Sequence, residues 1–340
     1  MAERLADHTT LRLGGPARAW LRAETEEQLV EAILDADAAG REILVLGGGS
    51  NVVVADEGFC GTVVEVATRG IEPEADLCSG AVVTVAAGED WDALVARAVD
   101  EGWVGIEALS GIPGSVGATP VQNVGAYGQE VADTVARVRV LDREEGCVRT
   151  FFAADCGFGY RTSRFKREPG RFVVLTVTFQ LRLGDRAAPV RYAELARVLG
   201  VELGERPPLA AVRRAVLGLR AGKGMVLDDA DPDTWSARSF FTNPVVDPAA
   251  LPDGAPAWPQ PDGRVKTSAA WLIDRAGFGK GYAGPGGRVS LSTKHTLALT
   301  NRGEGRTSDL LELAREVRAG VADRFGIVLE NEPVLVGCRL

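Results

Sequence analysis

The chain has 340 residues and a mass of 35.9 kDa, a length that predicts two domains. Hydrophobic residues make up 46% and charged residues 25%, which supports a sizeable core and excludes wholesale disorder. With 38 basic and 47 acidic residues the net charge is −9 and no basic block stands out, so nucleic acid is not an expected partner, while a local pocket for a small anion is allowed.

The longest apolar runs, such as Val52–Val54 and Val173–Val177, are too short to cross a bilayer, and Met1–Asp7 lacks the apolar core of a signal peptide. A cytoplasmic chain with no membrane partner is expected. The five cysteines, Cys60, Cys78, Cys147, Cys156 and Cys338, form no C-x-x-C pair and are odd in number. Buried reduced thiols are expected, not a disulfide framework or a zinc site. His8 and His295 are too far apart in sequence to suggest a metal pair; His295 reads as structural and no metal ligand is expected.

In chain order, Glu42–Leu46 is a short apolar run that stops at three glycines, and Val52–Val54 and Thr62–Val66 continue as strands. Val82–Ala86 alternates, and Asp90 caps a predicted helix Trp91–Val99. Arg137–Leu141 and Phe172–Leu181 are strand-like, the second rich in Val, Thr and Phe. After Gly184 the character changes. Tyr192–Leu199 and Leu209–Leu219 read as helices, and Asp247–Gly263, with five prolines and two glycines, as a surface loop or linker. Thr307–Phe325 is the clearest helix, stopped by Gly326, and Ile327–Val336 is strand-like with a break at Pro333.

Two glycine-rich segments stand out. Leu46-Gly-Gly-Gly-Ser-Asn51 follows a strand, so its backbone N–H groups can approach an anion closely. It is neither a Walker loop, lacking Gly-Lys-Ser/Thr, nor a Rossmann fingerprint, since a strand follows. The bland alternative is a glycine-rich hairpin turn. The second runs from Ser110 to Gly128, with five glycines between Gly111 and Gly128 and two prolines. Such a segment is no ordinary helix or central strand, and backbone laid against a flat or phosphorylated ligand justifies its entropy cost better than a plain loop does. Two cradles about 60 residues apart suggest a ligand with a pyrophosphate, such as FAD.

These segments carry a resemblance. Thr10-Leu-Arg-Leu-Gly-Gly15, Leu46–Asn51, Gly111-Ile-Pro-Gly-Ser-Val-Gly117 and Pro120-Val-Gln-Asn-Val-Gly-Ala-Tyr-Gly128 resemble the UDP-N-acetylenolpyruvoylglucosamine reductases. So do Gly159-Tyr-Arg-Thr-Ser-Arg-Phe-Lys166, Lys223-Gly-Met-Val-Leu-Asp228, Ser239-Phe-Phe-Thr-Asn-Pro-Val-Val246, Ala270-Trp-Leu-Ile-Asp274 and Phe325-Gly-Ile-Val-Leu-Glu-Asn-Glu332. The match runs from about residue 8 to the C-terminus in family order.

The resemblance implies a mixed α/β fold: a vanillyl-alcohol-oxidase-like (PCMH-type) FAD-binding region plus a C-terminal α/β substrate-binding lobe. The expected division is 1–185 for the FAD region, as two small α/β subdomains of which the first is completed by 327–340, and 186–326 for the lobe. It implies FAD held by Gly47, Gly48, Gly49, Ser50, Asn51, Ser115, Gly117 and Thr119, with Asn123, Gly125 and Ala126 beside the flavin. Relatives often show a second glycine and a small residue where Ala118-Thr119 stands. The flavin is expected to be non-covalent, because the Gly47–Asn51 loop has neither histidine nor cysteine.

The implied activity is NADPH-dependent reduction of an enolpyruvyl ether in peptidoglycan precursor synthesis, NADPH and the sugar nucleotide using one cleft in turn. The implied catalytic residues are Arg161 at the substrate carboxylate, Ser239 as proton donor and Glu332. Glu330 and Glu332 fall on one face of a strand, so periodicity does not separate them; the family pattern selects Glu332. Tyr160, Tyr192, Lys223 and Asn243 are the implied substrate contacts, Tyr192 marking the longer subclass. A monomer is expected. The rivals are an FAD oxidase of the same fold acting on a small alcohol, and a non-catalytic flavin- or sugar-nucleotide-binding module.

Overall fold

The computed structural model describes residues 3–76 and 80–340; Cys78 lies outside the described residues. The contacts divide the chain into two compact units. The central unit comprises Ala19–Gly48 and Gly61–Ala221; the terminal unit comprises Met1–Arg18, Gly49–Cys60 and Gly222–Leu340. This differs from the expected division at 185 and 326. A change in composition marks where the local pattern alters, whereas compactness follows pairing between distant segments. Strand Val52–Val54 pairs in parallel with Val334–Val336, and that ladder places the segment 49–60 with the C-terminus.

The central unit is built on an antiparallel sheet in the order Cys147–Phe152, Val135–Asp142, Phe172–Leu183, Gly80–Ala86, Ile71–Asp76, with Trp103–Val104 pairing the end of the long strand. Strict alternation buries Ala81, Val83 and Val85. Helix Trp91–Asp100 covers them with Trp91, Leu94, Val95 and Ala98, and the Asp90 carboxylate accepts from Ala93 N–H at 2.8 Å as its cap. A second sheet, in the order Ala17–Ala23, Phe59–Val66, Ile43–Leu46, packs helix Glu26–Ala38 through Leu29 and Ile33. No element before Glu42 was read in the sequence. Its signal was there: Thr25 and Gln28 form a capping box just ahead of Leu29, Val30 and Ile33.

In the terminal unit, strands Ser236–Ser239, Ala298–Asn301 and Val289–Leu291 form an antiparallel sheet. Helix Thr307–Phe325 packs on it through Leu310, Leu313, Ala314 and Val317, and ends at left-handed Gly326. The Asp56 carboxylate accepts from the first N–H groups of this helix, Thr307 at 2.7 Å and Ser308 at 3.0 Å. The proline-rich segment 247–263 is not all loop. Ala257–Pro259 is the edge strand of a small sheet with Val265–Thr267 and Val245–Val246, and an edge is where proline is tolerated. The cysteines also depart from expectation. Cys156 is buried and Cys338 half-buried, but Cys60 and Cys147 are exposed, Cys147 at the start of an edge strand.

Candidate active site

The two glycine segments meet. A Cβ on Gly48 would lie 2.7 Å from Gly114 Cα, and one on Gly47 would collide with Ser115 Oγ, so here the two loops lie backbone to backbone. Loop 114–117 is stitched down: Trp91 N–H donates to Gly114 O (3.0 Å), Val116 N–H to Glu89 O (2.8 Å) and Gly117 N–H to Ala87 O (2.8 Å). In the terminal unit, Gly49 sits at φ +58°, with no room for a Cβ beside the His8 carbonyl. Ser50 and Asn51 follow, half-buried; Asn51 Nδ2 donates to Glu332 O at 3.4 Å, and Asn51 O accepts from Val334 N–H at 3.0 Å.

The residues expected at the cofactor sort into two kinds. Gly48 is exposed, and Gly47, Ser50, Asn51, Gly125 and Ala126 are half-buried. Gly117, Ser115, Thr119 and Asn123 are buried and shape the loop from beneath. Thr119 Oγ1 donates to Val116 O at 2.8 Å, so its proton serves the turn. A bare, closely apposed double loop of this kind fits a pyrophosphate, which needs backbone approach without intervening side chains. No group of three or more His, Cys, Asp or Glu clusters for a metal among the described residues.

Arg161 is held by a chain of short-range devices. Gly159 and Thr162 exchange backbone hydrogen bonds of 3.0 and 3.3 Å, closing a tight turn at Tyr160-Arg161 with Arg161 at φ +52°. Arg161 Nη2 donates to Gly125 O at 2.7 Å, and its guanidinium lies 5.5 Å from the Tyr160 ring centroid. A Cβ on Gly125 would come within 2.8 Å of Glu130 Cγ and 3.0 Å of Gln129 O, with Arg161 Nη1 at 3.2 Å, so the hairpin itself favours glycine there. Asn123, itself at φ +47°, donates to Gly159 O (3.1 Å) and Glu130 Oε2 (2.8 Å), and accepts from Ala132 N–H (3.1 Å). Its amide is engaged by protein on three sides, so it acts on the shape of the turn that carries Arg161.

Ser239 and Glu332 are linked through the backbone of the terminal unit. Ser239 ends its strand opposite Ala298, the next residues pair Phe241 with Asn331, and Glu332 N–H donates to Phe240 O at 2.9 Å. Phe240 and Phe241 anchor this backbone in the core, each 1% exposed. Ser239 and Glu332 are half-buried, while Glu330 is exposed. Pro333 is buried, and the chain beyond it is in register with Val52–Val54.

The expected substrate residues are placed less uniformly. Tyr192 is exposed at the start of helix Ala193–Leu199, its ring edge-on to Tyr127 at 5.5 Å. Lys223 is half-buried just after helix Leu209–Gly222. Asn243 Oδ1 accepts from Ala269 N–H at 2.9 Å, holding the start of helix Ala269–Arg275.

Sequence reasoning passed over two groups in the central unit. Tyr127 sits at the tip of the Gly125–Glu130 hairpin, and burial pushes its phenol up to about 12. Arg220 is buried, and burial pulls its guanidinium down to about 10, against the favourable charges of Tyr127 and Asp92; Arg161 adds repulsion. It stays protonated at neutral pH. Its signal was a charge continuing the apolar row Leu209, Val212, Val216 of its helix.

Comparison with known proteins gives the same picture. Residues 17–151 match a family model for an FAD binding domain, and residues 231–336 one for the C-terminal domain of UDP-N-acetylenolpyruvoylglucosamine reductase. The UDP-N-acetylenolpyruvoylglucosamine reductase of Cutibacterium acnes is 59% identical over 337 residues, covering 99% of this chain and 90% of its own. That of Saccharopolyspora erythraea is 59% identical over 349 residues, covering 99% and 95%. The solved UDP-N-acetylenolpyruvylglucosamine reductase of Thermus caldophilus superposes with a TM-score of 0.66 at 29% identity, over 99% of both chains. The chain is thus an FAD-dependent oxidoreductase of peptidoglycan synthesis, and it belongs to the UDP-N-acetylenolpyruvoylglucosamine reductase family.

Proposed function

We propose that this chain reduces UDP-N-acetylenolpyruvoylglucosamine to UDP-N-acetylmuramate with NADPH as electron donor, and that Arg161, Ser239 and Glu332 carry the chemistry. The observation that carries the assignment is the backbone bridge between Phe240–Thr242 and Glu330–Glu332, which holds the Glu332 segment next to the segment that follows Ser239, with two core phenylalanines as anchor. Gly47–Asn51 and Ser115–Thr119 would hold the FAD diphosphate, with the hairpin Gly125–Glu130 at the flavin. FAD, when bound, supplies the hydride that goes to the methylene carbon of the enolpyruvyl group.

The protein's part is charge and proton management. Hydride addition at the methylene carbon places negative charge on the neighbouring carbon and its carboxylate. The rigid guanidinium of Arg161 suits that carboxylate, because its turn and its bond to Gly125 O hold the fork in place. Ser239 gives its proton to the carbon. A serine is a weak acid, so this works against a strongly basic carbanion in a site without water. Half-buried Glu332 supports the intermediate, and the exposure of Glu330 favours this choice over its neighbour. Tyr160, Tyr192 and Lys223 are read as contacts to the sugar nucleotide. Asn243 positions the helix next to Ser239's strand as well as facing substrate in this reading.

NADPH consumption tests the function: it should depend on the enolpyruvyl sugar nucleotide and not respond to simple alcohols. Consumption driven by alcohols alone would favour the oxidase reading. The flavin should leave the chain on denaturation; flavin retained on the precipitated protein would overturn non-covalent binding. The same reading places the chain in the cytoplasm, where UDP-sugars and NADPH reside, as a monomer. No described helix is long and apolar enough to cross a membrane. Light scattering at the chain mass of 35.9 kDa checks the monomer.

A further inference from the structure

We propose that Arg238 is a positioning residue for Ser239, holding open a β-bulge whose left-handed residue is an arginine where glycine would be the natural choice. The inference rests on the proton-donor reading of Ser239.

The strand register shows the bulge. Ser236 pairs with Thr300 and Ser239 with Ala298, so three steps on one strand face two on the other. The extra residue makes the odd turn: Arg238 has φ +69°. A side chain in that region is strained, and bulges of this kind normally use glycine. Here the side chain itself offsets the strain. Arg238 Nη1 folds back to donate to Ser236 O (2.8 Å) and Thr234 O (3.2 Å), while its own backbone N–H donates to Ser236 Oγ (3.1 Å). Thr10 ties the same node to the Gly49 turn. Thr10 Oγ1 donates to Ser236 O at 2.7 Å, and Thr10 N–H donates to Gly49 O at 3.1 Å. Thr10 and Ser236 are both buried.

The consequence is geometric. Side chains alternate along a strand, so one inserted residue reverses the face on which everything beyond it points. Without the bulge, Ser239 would exchange faces with its neighbours. Phe240 and Phe241, which follow it and lie in the core, would have to move as well. The bulge therefore sets at once which side Ser239 faces and where the Phe240–Glu332 bridge begins. This also gives a task to the Thr10–Gly15 motif, which tethers the bulge to the Gly49 turn.

The test compares R238A, R238G and S239A in the flavin-loaded enzyme by stopped flow. R238A keeps the left-handed demand and loses the anchor. It should slow oxidation of the reduced flavin by substrate about 10- to 10²-fold, as a misplacement near 1 Å does, with reduction by NADPH near normal. R238G meets the backbone demand without an anchor and should recover most of that rate. The double variant R238A/S239A should be no slower than S239A alone, because both act through one proton transfer. Hydrogen exchange over Ser236–Phe240, measured without substrate, should rise in R238A and stay low in R238G. A slow S239A beside a normal R238A, or R238G as slow as R238A, overturns the inference alone. A normal S239A overturns the proton-donor reading and this inference together.

Discussion

The two units hold the side chains proposed to react by different means. In the central unit Arg161 rides on a two-residue turn fixed by a buried amide, a glycine carbonyl and its own left-handed backbone. In the terminal unit Ser239 ends a bulged sheet strand, and Glu332 is held by a backbone bridge to the Phe240–Phe241 core segment. In the proposed chemistry the guanidinium fork meets a carboxylate from a turn that holds it in place, whereas the proton donor must come within hydrogen-bond reach of a carbon and stands at the end of a sheet strand.

The largest effect should come from the sheet side. Ser239→Ala should leave reduction by NADPH intact and slow oxidation of the reduced flavin by substrate on the order of 10²–10⁴-fold. Stopped-flow traces with the opposite pattern would contradict the assignment. Next comes the pair of glutamates. Glu332→Gln keeps a donor but loses proton exchange, so turnover should fall about 10²-fold or more with little change in thermal midpoint. Exposed Glu330→Gln should be near neutral. A dead but folded Glu330→Gln beside an active Glu332→Gln would reverse the choice and shift the register of this segment by two residues.

What was legible in the sequence follows the same divide. Glycines forced by close approach, such as Gly47, Gly48 and Gly125, show as motifs because no other residue fits. The helix Thr307–Phe325 shows because its apolar row is long. The bulge at Arg238 does not show: arginine carries no sign of left-handed backbone, and the register shift depends on a strand about 60 residues away. For Asn123 the sequence offers only the place beside the flavin that the family resemblance implies. Its engagement with Gly159, Glu130 and Ala132 depends on the fold. Arg220 was hidden for a related reason, since helix periodicity marks its row as buried but does not say what charge shares the interior.

The turn side can be broken without touching Arg161. Asn123→Asp keeps an acceptor for Ala132 N–H but loses the donors to Gly159 O and Glu130, and faces the Glu130 carboxylate instead. Turnover should fall about 10-fold or more, through a higher KM for the enolpyruvyl substrate, as Arg161 loosens. Each buried group left unsatisfied should also cost about 1–3 kcal/mol of stability. Unchanged KM together with an unchanged thermal midpoint would show that the amide does not position the turn.

The smallest effect is one of stability, and it separates the fold of the central unit from its chemistry. Asp142, fully buried on the strand Val135–Asp142, takes two hydrogen bonds from Arg171, at 3.1 and 3.0 Å, and an ion pair with Arg149 at 3.2 Å. The Arg171 hydrogen bonds hold its carboxyl below the ordinary 3.8, against the cost of burial and with help from Glu145 N–H. A depressed carboxylate contributes stability above its unfolded pKa and loses it as pH falls toward the folded one. The contribution should therefore be complete at neutral pH and fade below about pH 4. Asp142→Asn removes the charge at every pH and should cost about 1.5–3 kcal/mol at pH 7, the range for a hydrogen bond to a charged group. On acidification the wild-type thermal midpoint should fall faster than that of the variant, so the two curves converge. Parallel curves would mean that the pair does not titrate with folding, and that Asp142 serves the edge strand Cys147–Phe152 only by its shape.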